Sequence, residues 1–161
     1  MHFLTALRAV VYMTGFVLLW GWLALGARSI GSNWTLQLPA AVRLPGAALM
    51  ALGGGVVLWC IGVFVVVGRG TQAPFDPPQV FVPTGPYRWV RNPMYIGGWF
   101  LLLGFALWNH SLAMMLFSLL AAALAHLGVV FFEEPQLGGR FTFDYDVYKA
   151  RVNRWIPKPP R

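Results

Sequence analysis

Glu133 and Glu134 stand side by side at the end of a 41-residue stretch, Asn92 to Phe132, that holds no Lys, Arg, Asp or Glu. Pro135 follows them and disfavours the α conformation for the residue before it, so the helix leaving the apolar run is expected to stop at Glu134. Two carboxylates at a helix C-terminus beside lipid oppose the helix dipole and bring charge close to hydrocarbon. Such a local conflict marks a candidate functional site. The plainer reading is a solvated pair among headgroups. His126 lies two turns back on the same helical face, either lining that pocket or simply packed.

A second cluster precedes the same run, from Gly70 through Pro78 and on to Gly98. Its prolines predict an irregular loop. Asn92 is expected as N-cap and Pro93 at the first helical position. The free N–H groups of that helix start, with Arg88 and Arg91 beside them, suit a carboxylate or phosphate. Gly97 and Gly98 leave the helix surface bare one turn in, where a flat ligand can lie against backbone. The alternative is a capped helix whose arginines rest on lipid headgroups. A third segment, Thr142 to Pro157, predicts a short amphipathic helix capped by Thr142, with Tyr145, Tyr148 and Val152 on one face. Trp155 fits an interfacial anchor. Arg151 is a candidate partner for one of the two glutamates.

The elements that position these groups are legible from composition. The chain has 161 residues, 58% hydrophobic and 11% charged, against roughly 25% charged in an average soluble domain. Its mean hydropathy of +0.62 agrees, and 8 Trp, 12 Phe and 5 Tyr exclude a disordered chain. The expected fold is an all-α, integral membrane helical bundle forming a single domain. Four spans are predicted, at residues 9–27, 44–68, 92–109 and 111–132, the last two a hairpin turning at Asn109-His110-Ser111. The first is read as a retained helix because its apolar run is too long for a signal peptide. A loop at 69–91 and a tail at 133–161 fall on one side.

That side holds Arg8, Arg69, Arg88, Arg91, Arg140, Lys149, Arg151, Arg154, Lys158 and Arg161, and the other only Arg28 and Arg43. The asymmetry predicts both termini in the cytoplasm, in a plasma or inner membrane, with the site facing the cytosol. The net charge of +7 is then matched by membrane lipids rather than nucleic acid. A single cysteine, Cys60, excludes an intramolecular disulfide. No phosphate loop, nucleophile elbow or His/Cys metal spacing is present, so no metal is expected. Glycines cluster in the spans: Gly53, Gly54, Gly55 and Gly62 in the second are read as close helix packing.

Taken in order, the stretch Gly85 to Gly97, then Glu133-Glu134-Pro135-Gln136-Leu137, then Tyr145 to Pro157 with Tyr148 and Arg151 at helical spacing, resemble the isoprenylcysteine carboxyl methyltransferase family. Phospholipid methyltransferases share its broader superfamily. The resemblance covers residues 70–157, and the first two spans carry none of it. It implies a multi-span helical enzyme that binds S-adenosylmethionine from the cytosol and methylates a lipophilic substrate drawn from the bilayer. It also implies that Tyr87, Arg91, Asn92, Pro93, Tyr95, Gly97, Glu133 and Glu134 surround the cofactor. Arg151 would be the catalytic arginine, held by a glutamate and facing the methyl acceptor. The residues themselves add Glu134 at the reaction centre and Tyr148 and His126 towards the acceptor.

Two positions depart from the family pattern: Asn92 replaces its usual histidine and Asn153 its usual proline. A carboxylate acceptor needs no base, whereas an amine needs a glutamate or Tyr148 to take its proton. Two other functions fit the same residues. One is an NADPH-dependent membrane reductase of the steroid or sterol reductase type, and the other a non-catalytic lipid-binding protein.

Overall fold

The computed structural model describes residues 2–34, 38–68 and 79–159. The prolines expected to shape the loop at Gly70–Pro78 lie outside the described residues. Helix α1 spans His2–Ile30. A 3-10 turn at Ala40–Val42 leads into α2, Arg43–Val63, which ends in a π turn at Phe64–Gly68. A second 3-10 turn, Gly85–Arg88, precedes α3, Pro93–Trp108. Then come α4, Leu112–Gly128, a π turn at Val129–Glu133, and α5, Glu134–Arg151. Among the described residues there is no strand, as expected of an all-α chain.

Three helical stretches are long and apolar enough to cross a membrane: Leu4–Ile30, Ala40–Gly68 and Leu112–Arg151. Their outward leucines and phenylalanines are exposed, among them Leu18, Leu58 and Phe132, as lipid requires. The predicted third span is shorter than expected. With 16 residues, α3 is about 24 Å long at 1.5 Å per residue, below the ~30 Å hydrocarbon core. Pro93 fixes its start, and the turn at residues 109–111 fixes its end. Conversely, Leu112–Arg151 is 40 residues long, roughly twice a crossing. Its charges all lie beyond Phe132, so the apolar crossing ends there and α5 is tail.

Pro135 does not end the fourth helix. The π turn at Val129–Glu133 widens the backbone just before it, and Pro135 sits in the first turn of α5. There its missing N–H removes no required bond, and the wider turn relieves its ring against the preceding carbonyls. Glu134 therefore lies inside a continuous helical run that passes from α4 through the π turn into α5, and not at a C-terminus. Thr142 is a kink inside α5 (φ 14°, ψ −90°) rather than the cap of a separate helix.

Helices α2 and α3 pack backbone to backbone through glycines. A Cβ at Gly53 would stand 2.5 Å from the Gly97 carbonyl oxygen, and one at Gly104 would stand 2.6 Å from the Gly46 carbonyl oxygen. Both pairs are seven residues apart on their helices, one heptad of close approach. Of the glycines expected to pack, only Gly53 makes this tight contact; Gly55 and Gly62 meet nothing within 4 Å. At the far end, Ser111 caps α4 by accepting from the Met114 N–H, and Ala24, Ala106 and Met114 form a buried core.

Candidate functional site at the mouth of α3

The site is built where the start of α3, the π turn after α4 and the tail meet. Asn92 occupies the N-cap position, but its side chain makes no capping bond. Buried, it turns away and donates from Nδ2 to the Arg154 carbonyl oxygen at 3.2 Å. Backbone bonds complete the docking: the Arg91 N–H donates to the Asn153 carbonyl at 2.9 Å, and the Lys158 N–H to the Trp89 carbonyl at 2.8 Å. The position where the family has proline thus contributes a carbonyl, which any residue supplies.

Glu134 is held by two guanidiniums. Arg154 Nε donates to Oε1 at 2.7 Å and its Nη2 to Oε2 at 2.9 Å, a bidentate pair. Arg91 Nη1 approaches Oε1 at 3.2 Å and contacts the Tyr145 hydroxyl at 3.4 Å. The hydrogen bonds from Arg154, with the charge of Arg91, hold the Glu134 carboxyl below the usual carboxylate range against a smaller opposing effect of burial. Arg91 Nε, buried, has no hydrogen-bond partner among the described residues. Glu133 is half-buried and accepts at Oε2 from the Tyr95 hydroxyl at 2.9 Å.

Arg151 does not take the expected place beside a glutamate. It is exposed, without an ion pair among the described residues, and Arg154 stands there instead. Backbone conformation is the reason. The helix ends at Arg151, and Val152 is extended (φ −114°, ψ 126°), so the chain reverses and delivers the side chain three residues on. Arg154 carried no helical spacing that could single it out.

Three further expected contacts differ. Gly97 is buried against α2: a Cβ there would lie 2.8 Å from the Gly53 carbonyl and 2.9 Å from Val57, so it is a packing position and offers no ligand surface. Its neighbour Gly98 meets nothing within 4 Å. Tyr87 points inward, its ring 5.3 Å from that of Phe64 and its hydroxyl bonded with the Cys60 thiol. Burial holds that phenol well above its ordinary pKa. Tyr148 donates its hydroxyl to the Tyr87 carbonyl at 2.7 Å. Both tyrosines therefore fasten the 3-10 turn and the tail.

The expected apolar face of the tail is present, but it meets protein. Phe81 packs edge-on to Tyr145 (6.1 Å) and Tyr148 (5.2 Å), and against Phe141 at 5.4 Å. Trp155 is no simple lipid anchor: its indole N–H donates to His126 Nδ1 at 2.9 Å, and its ring meets Tyr95 edge-on at 6.4 Å. Tyr95, Trp99, His126 and Trp155, with Ala122 and Ala125, line a cavity of about 210 Å³ between α3 and α4. The Trp99 indole N–H there is buried with no partner among the described residues.

The arrangement offers a buried N–H without an acceptor, a half-buried carboxylate with one oxygen uncommitted to Tyr95, and an apolar cavity alongside. That set suits a ligand carrying both an anionic and a cationic group. No curated protein matches this chain. The profile of the phospholipid methyltransferase family matches residues 42–142, which takes in α2 as well as the cluster around Arg91 and the two glutamates, and leaves out α1 and the tail beyond Thr142. With more than half its length matched and these elements gathered at one rim, the chain belongs to the phospholipid methyltransferase family, whose members are membrane methyltransferases acting on lipid-like substrates.

Proposed function

We propose that the protein transfers a methyl group from S-adenosylmethionine to a lipophilic acceptor at the cytoplasmic rim of the bundle, in a plasma or inner membrane with both termini cytoplasmic. The observation that carries this reading is the meeting of Arg91 with Glu134 and of Tyr95 with Glu133, which joins the α3 mouth to the α4 exit. When bound, the cofactor supplies a methyl carbon already activated by a cationic sulfur. Arg91 Nε and the first N–H groups of α3 would hold its carboxylate. Glu133 would hold its ammonium or ribose hydroxyls, and that negative charge suits a sulfonium. The open surface at Gly98 replaces Gly97 as the place where the nucleoside can lie.

Catalysis then rests on positioning and on exclusion of water. Glu134 cannot serve as a base while two guanidiniums hold it. Tyr148 is also withdrawn, because its proton is engaged with a carbonyl and burial raises its pKa. An acceptor that arrives already nucleophilic, such as a prenylcysteine-type carboxylate, needs neither. An amine acceptor leaves Glu133 as the proton acceptor. The cavity beside Tyr95, Trp99 and Trp155 would receive the acceptor's apolar part from the bilayer, and exposed Arg151 remains available to its charged end.

Equilibrium binding to the purified full chain in detergent tests this reading. S-adenosylhomocysteine should stabilise it, and Tyr95→Phe, which leaves Glu133 without its donor, should weaken that binding roughly fivefold to tenfold. Stabilisation by NADPH alone would establish the reductase reading, and response to neither would favour a non-catalytic lipid-binding protein. Mass spectrometry of membrane lipids after incubation with isotope-labelled cofactor then separates carboxylate from amine acceptors.

A further inference from the structure

A cavity of about 380 Å³ lies at the opposite end of the bundle, between the end of α1 and the α3–α4 turn. Its wall is built rather than incidental. Gly31 lets the chain leaving α1 touch Ala113, and the Leu112 N–H donates to the Trp34 carbonyl at 3.1 Å. The Asn109 amide donates to the Phe105 carbonyl at 2.8 Å, which turns its oxygen outward to accept from Arg28 Nη1, also at 2.8 Å.

Next to it, His110 holds a left-handed backbone (φ 52°), a conformation that costs a non-glycine residue about 1 kcal/mol or more. Its Nε2 is buried without a partner among the described residues. The orphaned buried nitrogen is a polar group that a ligand in the cavity would satisfy.

The electrostatics select the ligand. Among the described residues Arg28 meets only a neutral amide, and the acids there, Glu133, Glu134, Asp144 and Asp146, belong to the other end. One cation with no counter-charge among the described residues, a ring nitrogen and the Ser32 hydroxyl suit an anion with several acceptor oxygens. Leu25 and Trp34 line the same cavity and are exposed beside it, at the end of a helix apolar enough to span a membrane. An anion with attached hydrocarbon fits that combination.

We propose that this cavity binds the phosphate of an anionic phospholipid from the leaflet opposite the proposed methyl-transfer rim. Arg28 and the N–H of His110 Nε2 hold the phosphate, and Leu25 and Trp34 meet the glycerol and upper chain. Because its wall joins α1 to the α3–α4 turn, the lipid clamps α1 onto the bundle. The inference is independent of the reading given for the rim and involves no cofactor.

The test is thermal unfolding of the full chain in detergent with short-chain phosphatidylglycerol, short-chain phosphatidylcholine or inorganic phosphate. Phosphatidylglycerol should raise Tm in a saturable way, and Arg28→Gln should weaken its apparent binding roughly tenfold or more, as for loss of one charge-assisted hydrogen bond. His110→Gly relieves the backbone and removes the orphaned nitrogen, so it should raise Tm without lipid while shrinking the lipid-dependent shift. The proposal is overturned by equal shifts in the wild type and Arg28→Gln. An equal shift from phosphatidylcholine or from inorganic phosphate alone, or an undiminished lipid-dependent shift in His110→Gly, would also overturn it.

Discussion

Removing the Arg154 guanidinium should undock the tail, whereas removing that of Arg151, three residues earlier, should not. Arg154→Ala deletes two charge-assisted hydrogen bonds to Glu134, at 2.7 and 2.9 Å. Each such bond to a charged group contributes about 1.5–3 kcal/mol when well shielded. The Arg154 side chain is 33% exposed and Glu134 15%, so solvent screening and the remaining Arg91 contact reduce the total. We expect a net loss of about 2 kcal/mol, some 30-fold in the equilibrium between docked and undocked tail.

Arg151, exposed and without an ion pair among the described residues, should change stability by no more than about 0.5 kcal/mol on truncation. A double-mutant cycle of Arg154→Ala with Glu134→Gln, followed by reversible unfolding in mixed micelles and by protease sensitivity of the tail, isolates the pair. A coupling energy near zero would refute the assignment. So would Arg151→Ala destabilising the protein as much as Arg154→Ala.

The same carboxylate sets a pH dependence. Glu134 titrates below its ordinary value of 4.5 in the folded protein because of Arg154 and Arg91. The unfolded chain therefore takes the proton first, and the stabilisation is present above pH 4.5 and lost as pH falls below it through the folded value. Tail docking followed by protease sensitivity should fail on acidification in the wild type, and Glu134→Gln should lose that acid-dependent step. On the glycine seam, Gly53→Val drives a side chain into the Gly97 carbonyl and should cost more than about 3 kcal/mol or prevent folding. Gly55→Ala meets nothing within 4 Å and should be neutral or stabilising by up to about 1 kcal/mol in the same unfolding assay.

Much of this protein is written in one-dimensional patterns. Uncharged runs bounded by arginines mark the helices, because hydrocarbon admits no unsatisfied backbone and few charges. Pro93 and the Asn109–Ser111 turn set the ends of α3 for the same local reasons, and Tyr145 and Tyr148 announce an apolar face by their spacing. The order of the segments around Arg91, Glu133-Glu134 and the tail carries the family likeness.

Partner choice was a different matter. Periodicity describes a residue only while the helix continues, and the chain turns extended at Val152, so Arg154 and not Arg151 reaches Glu134. Pro135 disfavours a helix by local rules, yet a π turn ending two residues earlier absorbs its ring. Gly97 looks equally bare to a ligand or to a neighbouring helix, and only the approach of α2 assigns it. Whether Asn92 caps α3 or holds the tail depends on which acceptor lies near, and that acceptor is 62 residues away. The strained His110 beside Arg28 carries no motif at all. Contacts between distant segments depend on how helices cross and where backbones reverse, and these are properties of the packed chain rather than of any stretch of it.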